Sequence, residues 1–426
     1  MKMHNFYFNK LKIKLKKRKL TVCIIGVGYV GQAIIKKILS KNIRVIALDR
    51  NIGKIKKIVK FKKVFYTNNY KYIGKADVIV ICLPTPLKKN KTPDLSHLKA
   101  AVKSMKNFVK KGQMISLEST TYPGSTEELF IPLINQKRFK LSENFFLVYS
   151  PERISPELKI KDKNIKYNIS NTPKLCAGYS KKCEILGKSF YKLVTKKVIM
   201  ASSLKVAEAS KMIENVFRSV NIALVNELKM FLDKIKINIH EVLNLAGTKP
   251  YGFTKFDPGP GYGGHCIPLD PYYLYWLAKK NKFDLKFVKT SGEINRNISF
   301  WITSKIFNFI KNRKIKLVKK KILILGVAYK KNIDDTRESP AFKISENIIR
   351  QGYDIEYSDP YIKTIKVSGK IKRSKKITKH LLKKFKVVII VTDHDKFDYK
   401  LIKDSAKYLF DCRNSIKGRK KDYFSI

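Results

Sequence analysis

Acidic residues are scarce in this chain, 33 against 91 lysines and arginines, which leaves a formal net charge of +58. Lysine is spread along the whole length instead of gathering on one element. Solvated lysine faces therefore account for the excess, with weak, salt-sensitive attraction to polyanions as its consequence and no specific nucleic-acid partner. Long apolar runs are missing too: none approaches the ~20 residues a membrane span needs. The basic stretch 1–19 interrupts its apolar residues with lysines, so it lacks the apolar core of a secretory signal. It reads as a partly disordered extension, with one short amphipathic turn at most. The six cysteines (Cys23, Cys82, Cys176, Cys183, Cys266, Cys412) are scattered, without a CxxC pair or zinc-ligand spacing. That excludes a disulfide framework, predicts no bound metal and fits a reducing, cytoplasmic setting.

What is present centres on Phe256 to Asp270, FDPGPGYGGHCIPLD. Glycine and proline at this density exclude helix and strand, so the stretch is an irregular loop. Gly259, Gly261, Gly263 and Gly264 let backbone amides approach a ligand closely. Cys266, with Asp270 four residues on, is a candidate nucleophile beside a carboxylate. A tight surface turn ending in an inert cysteine is the other reading, and spacing alone does not decide between them.

A chain of 426 residues suggests two or three domains. Lys19 to Asp49 reads as strand, glycine turn, helix, strand. Gly26, Gly28 and Gly31 form a G-x-G-x-x-G pattern directly after an apolar run, as a pyrophosphate-binding turn requires. The helix that follows offers free N–H groups and a positive dipole end to phosphate. Asp49 is placed to accept from ribose hydroxyls and so favours NAD; Arg50 weakens that preference, since arginine can receive a 2′-phosphate. Further apolar runs end in polar loops: Ala76 to Leu83 in Pro84-Thr85-Pro86, and Gln113 to Ser116 in Glu118 to Thr121. Phe145 to Tyr149 ends in SPERISPE, putting Glu152 at a strand terminus. Parallel strands with ligands at their carboxyl ends give one doubly wound sheet.

Ser203 to Asp233 has helical spacing over a length well beyond an average helix. Lys211, Asn215 and Arg218 recur on one face, as a solvated stripe or as part of a site that the cysteine loop completes, and a helix of this length between two α/β halves is a natural spine and dimer surface. From Lys319 the pattern of strand, glycine turn and helix restarts. It describes a second α/β domain, not a repeat of the first at the residue level. Lys330 and Arg337 beside this second turn suit a phosphate or carboxylate, or are plain surface cations.

Taken together, GVGYVG, CLPTP with PDLS, STTYPGST, SPER, KVAEASKMIENVFRSVNIALVNEL, GPGYGGHCIPLDP and GVAYKKNIDDTRESPA resemble the UDP-glucose/GDP-mannose dehydrogenase family, from about Leu20 to Ser415. The cysteine-loop region looks most like the branch that oxidises UDP-N-acetylhexosamines. The resemblance implies an α/β protein of two Rossmann-like doubly wound domains joined by a long central helix. After the extension 1–19, it implies an NAD-binding domain at 20–200, a central helical dimerisation and catalytic-loop domain at 201–310, and a UDP-sugar-binding domain at 311–426.

The implied activity is four-electron oxidation of the C6 alcohol of UDP-N-acetyl-D-glucosamine, or of its mannosamine, galactosamine or glucose counterparts, for capsule, O-antigen or other surface polysaccharide. Cys266 would form a thioester, Lys211 and Asn215 would face the oxyanion, and Asp270 with Thr120 and Glu152 would orient or activate water. Gly26, Gly28, Tyr29, Val30, Gly31, Asp49, Arg50, Pro84, Thr85, Thr120 and Arg337 would contact NAD. Substrate contacts would fall on Glu152, Arg153, Lys211, Asn215, Gly259, Gly261, Tyr262, Gly263, Tyr329, Lys330 and Arg413. A homodimer or higher homo-oligomer is implied. Two positions depart from the branch: Glu157 stands where glycine is usual, and only Lys249 and Lys255 precede the loop where many members carry an arginine. A two-electron hydroxyacid dehydrogenase would leave Cys266 and the second domain without a role. A polyanion-binding protein on a decayed scaffold would not need Cys266, Lys211, Asn215 and Asp270 intact.

Overall fold

In the computed structural model, which describes residues 5–53, 63–134, 139–153, 169–264, 267–416, 418 and 422–426, the chain divides into two units, Met1–Glu214 and Asn215–Ile426. The first unit opens with helix α1 (Phe6–Lys17). Its sheet contains β1 (Thr21–Ile25), β2 (Arg44–Leu48), β3 (Val64–Thr67), β4 (Val78–Ile81), β5 (Gln113–Leu117), β6 (Phe145–Tyr149), β7 (Lys174–Gly178) and β8 (Val198–Met200). The strand order is β3-β2-β1-β4-β5-β6-β7-β8. All described pairings are parallel except β6 with β7. The order reverses direction at β1, where helix α2 (Tyr29–Leu39) leaves the glycine turn, and this is where open α/β sheets bind ligands.

The N-terminal stretch corrects an expectation. It is a 12-residue helix and not a partly disordered extension. Phe8, Leu11 and Leu15 lie three and four residues apart, on one helical face, and are buried in the core of the first unit. The phenyl ring of Phe8 meets that of Phe146 at 6.4 Å. The intervening lysines that break the run in sequence point away from the core, and Lys14 donates to Asp77 at 2.6 Å. Among the described residues, no helix is long and apolar enough to cross a membrane.

Helix α3 (Ser96–Met105), α4 (Ser125–Ile134) and α5 (Lys181–Tyr191) complete the first unit, and α6 (Leu204–Lys234) carries the chain across the boundary into the second. There the sheet of β9 (Lys321–Leu325), β10 (Asp354–Ser358), β13 (Val387–Ile390), β14 (Tyr408–Asp411) and β15 (Tyr423–Ser425) has the order β10-β9-β13-β14-β15, all parallel. A hairpin, β11 (Thr364–Val367) with β12 (Lys370–Arg373), stands apart from it. Alternate strand residues face two separate cores: Ile322, Ile324 and Ile389 on one side, Leu323, Leu325 and Ile390 on the other. The fold class is as expected, an α/β protein with two Rossmann-like parallel sheets and a long central helix.

The two glycine turns are closer relatives than the sequence reading allowed. Gly26-Val27-Gly28-Tyr29 and Gly326-Val327-Ala328-Tyr329 follow β1 and β9 in the same way. Gly26 donates to Leu48 O at 2.9 Å, and Gly326 to Ser358 O at 2.8 Å. Val27 donates to Asp49 at 2.8 Å and Val327 to Asp359 at 2.7 Å. Gly26 has φ +90°, and a Cβ there would stand 2.6 Å from Cys82 O, so only glycine fits.

Candidate active site

In the first unit the parallel strands bring expected cofactor residues, and Glu152 from the expected catalytic set, to one edge. Gly26, Asp49, Pro84, Thr85, Thr120 and Glu152 all follow the carboxyl ends of β1, β2, β4, β5 or β6. Gly28 caps α2 with open space where a side chain would stand, so the first-turn amides are approachable. Tyr29 and Val30 are half-buried on the first turn of α2 and Gly31 is buried beneath it. Asp49 accepts from Val27 and Asn51 amides at 2.8 and 3.0 Å, which fixes its carboxylate against the turn and leaves lone pairs for a diol. Arg50 beside it is exposed. Loops are stitched together: Thr85 donates to Thr120 O at 2.8 Å and Ser119 to Leu83 O at 2.7 Å, while Pro84 is exposed. The residues present fit a dinucleotide: a cradle at Gly28, a helix N-terminus behind it, and an acid at the second strand.

Beneath this edge lies an arrangement that sequence reasoning missed. Lys174 Nζ donates to Glu118 at 2.7 Å, to Glu152 at 3.2 Å and to Pro151 O at 3.3 Å, and its side chain is buried with that of Glu118. One ammonium compensates one carboxylate only. Burial, with the charge of Glu152 beside it, pushes the Glu118 carboxyl up to about 7 despite the opposing pull of Lys174. Burial alone would lower Lys174, but the two carboxylates carry it above the ordinary lysine range. The Tyr29 phenol is pushed up to about 12 by burial and by Glu152. The guanidinium of Arg153 is turned to Glu214 of α6 and to Pro173 O, the latter at 3.0 Å. Glu157, which departs from the branch, lies outside the described residues.

Glu208 on α6 was also missed. It is fully buried and accepts from the amides of Gly124 and Thr126 and the hydroxyls of Ser125 and Thr126. The long helix thereby holds the start of α4 and the PGST loop. Burial raises its carboxyl, against the opposing pull of those four bonds. Lys211, one helical turn further along, is buried as well.

In the second unit, Asn215 is buried and donates to Asp270, itself buried at the start of α7 (Asp270–Lys280). Arg218, expected on the same face, is exposed. Cys266 lies outside the described residues. The glycine loop before it is pinned from the helices: Gly259 donates to Asn226 at 2.9 Å, Asn226 to Asn295 at 3.1 Å, and Ser299 to Pro260 O at 3.0 Å. A Cβ on Gly259 would stand 2.7 Å from Arg413 Nη1, so the bare backbone is what lets that guanidinium in. Gly263 packs on Tyr329, Gly261 on the backbone of Asn295, and Tyr262 between them is half-buried. Arg413 is anchored by donation to Val391 O at 3.0 Å. Burial, then the Arg413 charge, lowers Lys330, as expected for two cations facing a site for an anion. Arg337 forks onto Asp335 at 2.6 and 3.0 Å, and its carbonyl accepts from Gly264 at 2.9 Å.

A dinucleotide turn in one unit and a cation-lined glycine loop in the other define a nucleotide-using α/β enzyme. Three family models match the chain, all from the UDP-glucose/GDP-mannose dehydrogenase family: the NAD binding domain over residues 56–195, the central domain over 205–297 and the UDP binding domain over 323–418. A UDP-N-acetyl-D-glucosamine 6-dehydrogenase of Pseudomonas aeruginosa is 31% identical over 362 residues, 81% of this chain and 84% of that protein. A UDP-N-acetyl-D-mannosamine dehydrogenase of Methanocaldococcus jannaschii is 31% identical over 80% of this chain and 79% of its own length. A solved UDP-D-ManNAc dehydrogenase from Pyrococcus horikoshii matches with a TM-score of 0.82 at 27% identity, covering 95% of this chain and 98% of that one. The chain belongs to the UDP-glucose/GDP-mannose dehydrogenase family. It is an NAD-dependent UDP-sugar dehydrogenase.

Proposed function

We propose that the chain oxidises the C6 alcohol of UDP-N-acetyl-D-glucosamine to a carboxylate, in two steps through a thioester on Cys266, for surface polysaccharide. Bound NAD supplies the hydride acceptor for each oxidation. Lys211 or water held by Asp270 takes the alcohol proton in the first step. An aldehyde has no second hydride to give until a nucleophile adds. The Cys266 thiolate adds to it, the thiohemiacetal is oxidised to a thioester, and water releases the acid and restores the thiol. Lys211 and Asn215 stabilise the oxyanion, while Thr120, Glu152 and Asp270 orient water.

The observation that carries this reading is the buried hydrogen bond between Asn215 and Asp270, two polar side chains 55 residues apart in sequence. Burial of polar groups is costly unless they are hydrogen-bonded, and here each satisfies the other, which fixes the carboxylate of Asp270 beside the amide of Asn215. UDP-N-acetyl-D-mannosamine is the second reading, favoured by relatives and a solved structure that carry that name. Assay with NAD against both sugars decides between them, and two NADH should form per acid. Cys266→Ser should yield no acid; full turnover by that variant refutes the thioester.

Self-association is part of the proposal. Val206, Ile213, Phe217, Leu224, Leu228 and Phe231 are exposed large apolar side chains on α6. Their spacings of seven, four and three residues keep them on one stripe, as a helix-to-helix contact between two copies requires.

A further inference from the structure

The one antiparallel pairing in the first sheet, among the described residues, joins β6 to β7, with Tyr149 opposite Ala177 and Val148 opposite Gly178. Continued by three residues, that register sets Glu152 opposite Lys174, the first residue of β7. The side chains meet as it requires, Nζ to carboxylate at 3.2 Å. The remaining donors of Lys174 go to Glu118 Oε2 and Pro151 O, so all three of its protons are directed. Glu118 follows β5, the neighbour of β6, and its side chain is fully enclosed. Its second oxygen, Oε1, is buried, and the buried Tyr191 hydroxyl, 2.7 Å from Ser116 Oγ, interacts with the same carboxylate.

A buried lysine between two carboxylates is costly to assemble when burial of the chain's apolar residues would serve stability better. What the arrangement does supply is direction. Glu118 anchors the ammonium from inside the sheet, and the ammonium fixes one oxygen of Glu152. The other Glu152 oxygen accepts from the Arg153 amide at 2.7 Å. We propose that Lys174 is a positioning residue for the reaction, holding the Glu152 carboxylate at the carboxyl edge of the sheet through its bridge to Glu118. This rests on the reading of Glu152 given above.

The test is steady-state kinetics on the full chain for Lys174→Met, Lys174→Arg, Glu152→Gln and the Lys174→Met/Glu152→Gln double variant, with NAD and the UDP-sugar. Misplacing Glu152 should lower kcat about 10- to 100-fold in Lys174→Met, and the KM for NAD should move little. Lys174→Arg should recover most of the loss. In the Glu152→Gln background Lys174→Met should cost no more than about twofold further, because the two act as one unit. An equal loss in both backgrounds, or wild-type kcat in Lys174→Met, overturns the proposal. Wild-type kcat in Glu152→Gln instead overturns the reading of Glu152 itself. Should Lys174→Met fail to fold, Glu118→Gln carries the same test. It removes the anchoring charge but keeps the ammonium, and its kcat loss must likewise vanish in the Glu152→Gln background.

Discussion

Glu118→Gln should change how stability depends on pH, in a direction fixed by the buried trio. The Glu118 carboxyl moves from 4.5 in the open chain to about 7 in the fold. A folded value above the unfolded one means the native state holds the proton more tightly. The stabilisation is therefore full below 4.5 and lost as pH rises through about 7. At 1.36 kcal/mol per pH unit, this amounts to about 3 kcal/mol. The raised Lys174 contributes no slope in this window, because it stays charged in both states well above pH 8. Thermal melts of wild type and variant from pH 4.5 to 8 isolate the effect, since every other titrating group is common to both. For a unit of this size the variant should gain roughly 6–12 °C on the wild type across that range. Parallel curves would refute the account of Glu118 as the uncompensated carboxylate.

Leu15→Ala on α1 removes a side chain that is 3% exposed. It should destabilise the first unit by about 2–5 kcal/mol, read as a lower melting temperature, and an unchanged melt would show that α1 does not contribute to the core. Phe231→Asp puts a charge in the exposed stripe of α6 on a side chain that joins none of the described core clusters. Sedimentation velocity should show a dimer become a monomer, and identical sedimentation of the two proteins would remove this stripe as the contact.

The strands and both glycine turns were legible because continuous apolar runs ending in glycine have few other interpretations. Residues at strand ends, such as Thr85, Thr120 and Glu152, could be assigned to one edge for the same reason: parallel strands all end on one side. Helix α1 was not legible, because lysines at every second or third position hide a stripe of only three buried residues. Lys174 lies 56 residues from Glu118 and 22 from Glu152, and Glu208 lies 84 residues from Gly124. Nothing local marks such partners; they meet only once sheet order and register are known. The kinship of the two turns was hidden by the replacement of Gly28 by alanine in the second. It is visible in the hydrogen bonds that Asp49 and Asp359 accept from equivalent amides.

That kinship has a limit. Asp359 accepts from Val327, Ala328, Tyr361 and Ile362 amides and from His394 Nε2 at 3.0 Å. His394 Nδ1 accepts from the Asn332 amide at 2.9 Å, which places the ring proton on Nε2 and aims it at the acid. Burial opposes ionisation of Asp359, but His394 and the amides outweigh it and hold the carboxyl below its ordinary range. Five donors saturate a carboxylate. Whatever nucleotide rests on the second turn must then be told apart by its base or its phosphates, since no acid there is left to greet vicinal hydroxyls. One half of the chain keeps an open hand at this position, the other a closed fist, and converting the second to dinucleotide use would have to begin by evicting His394.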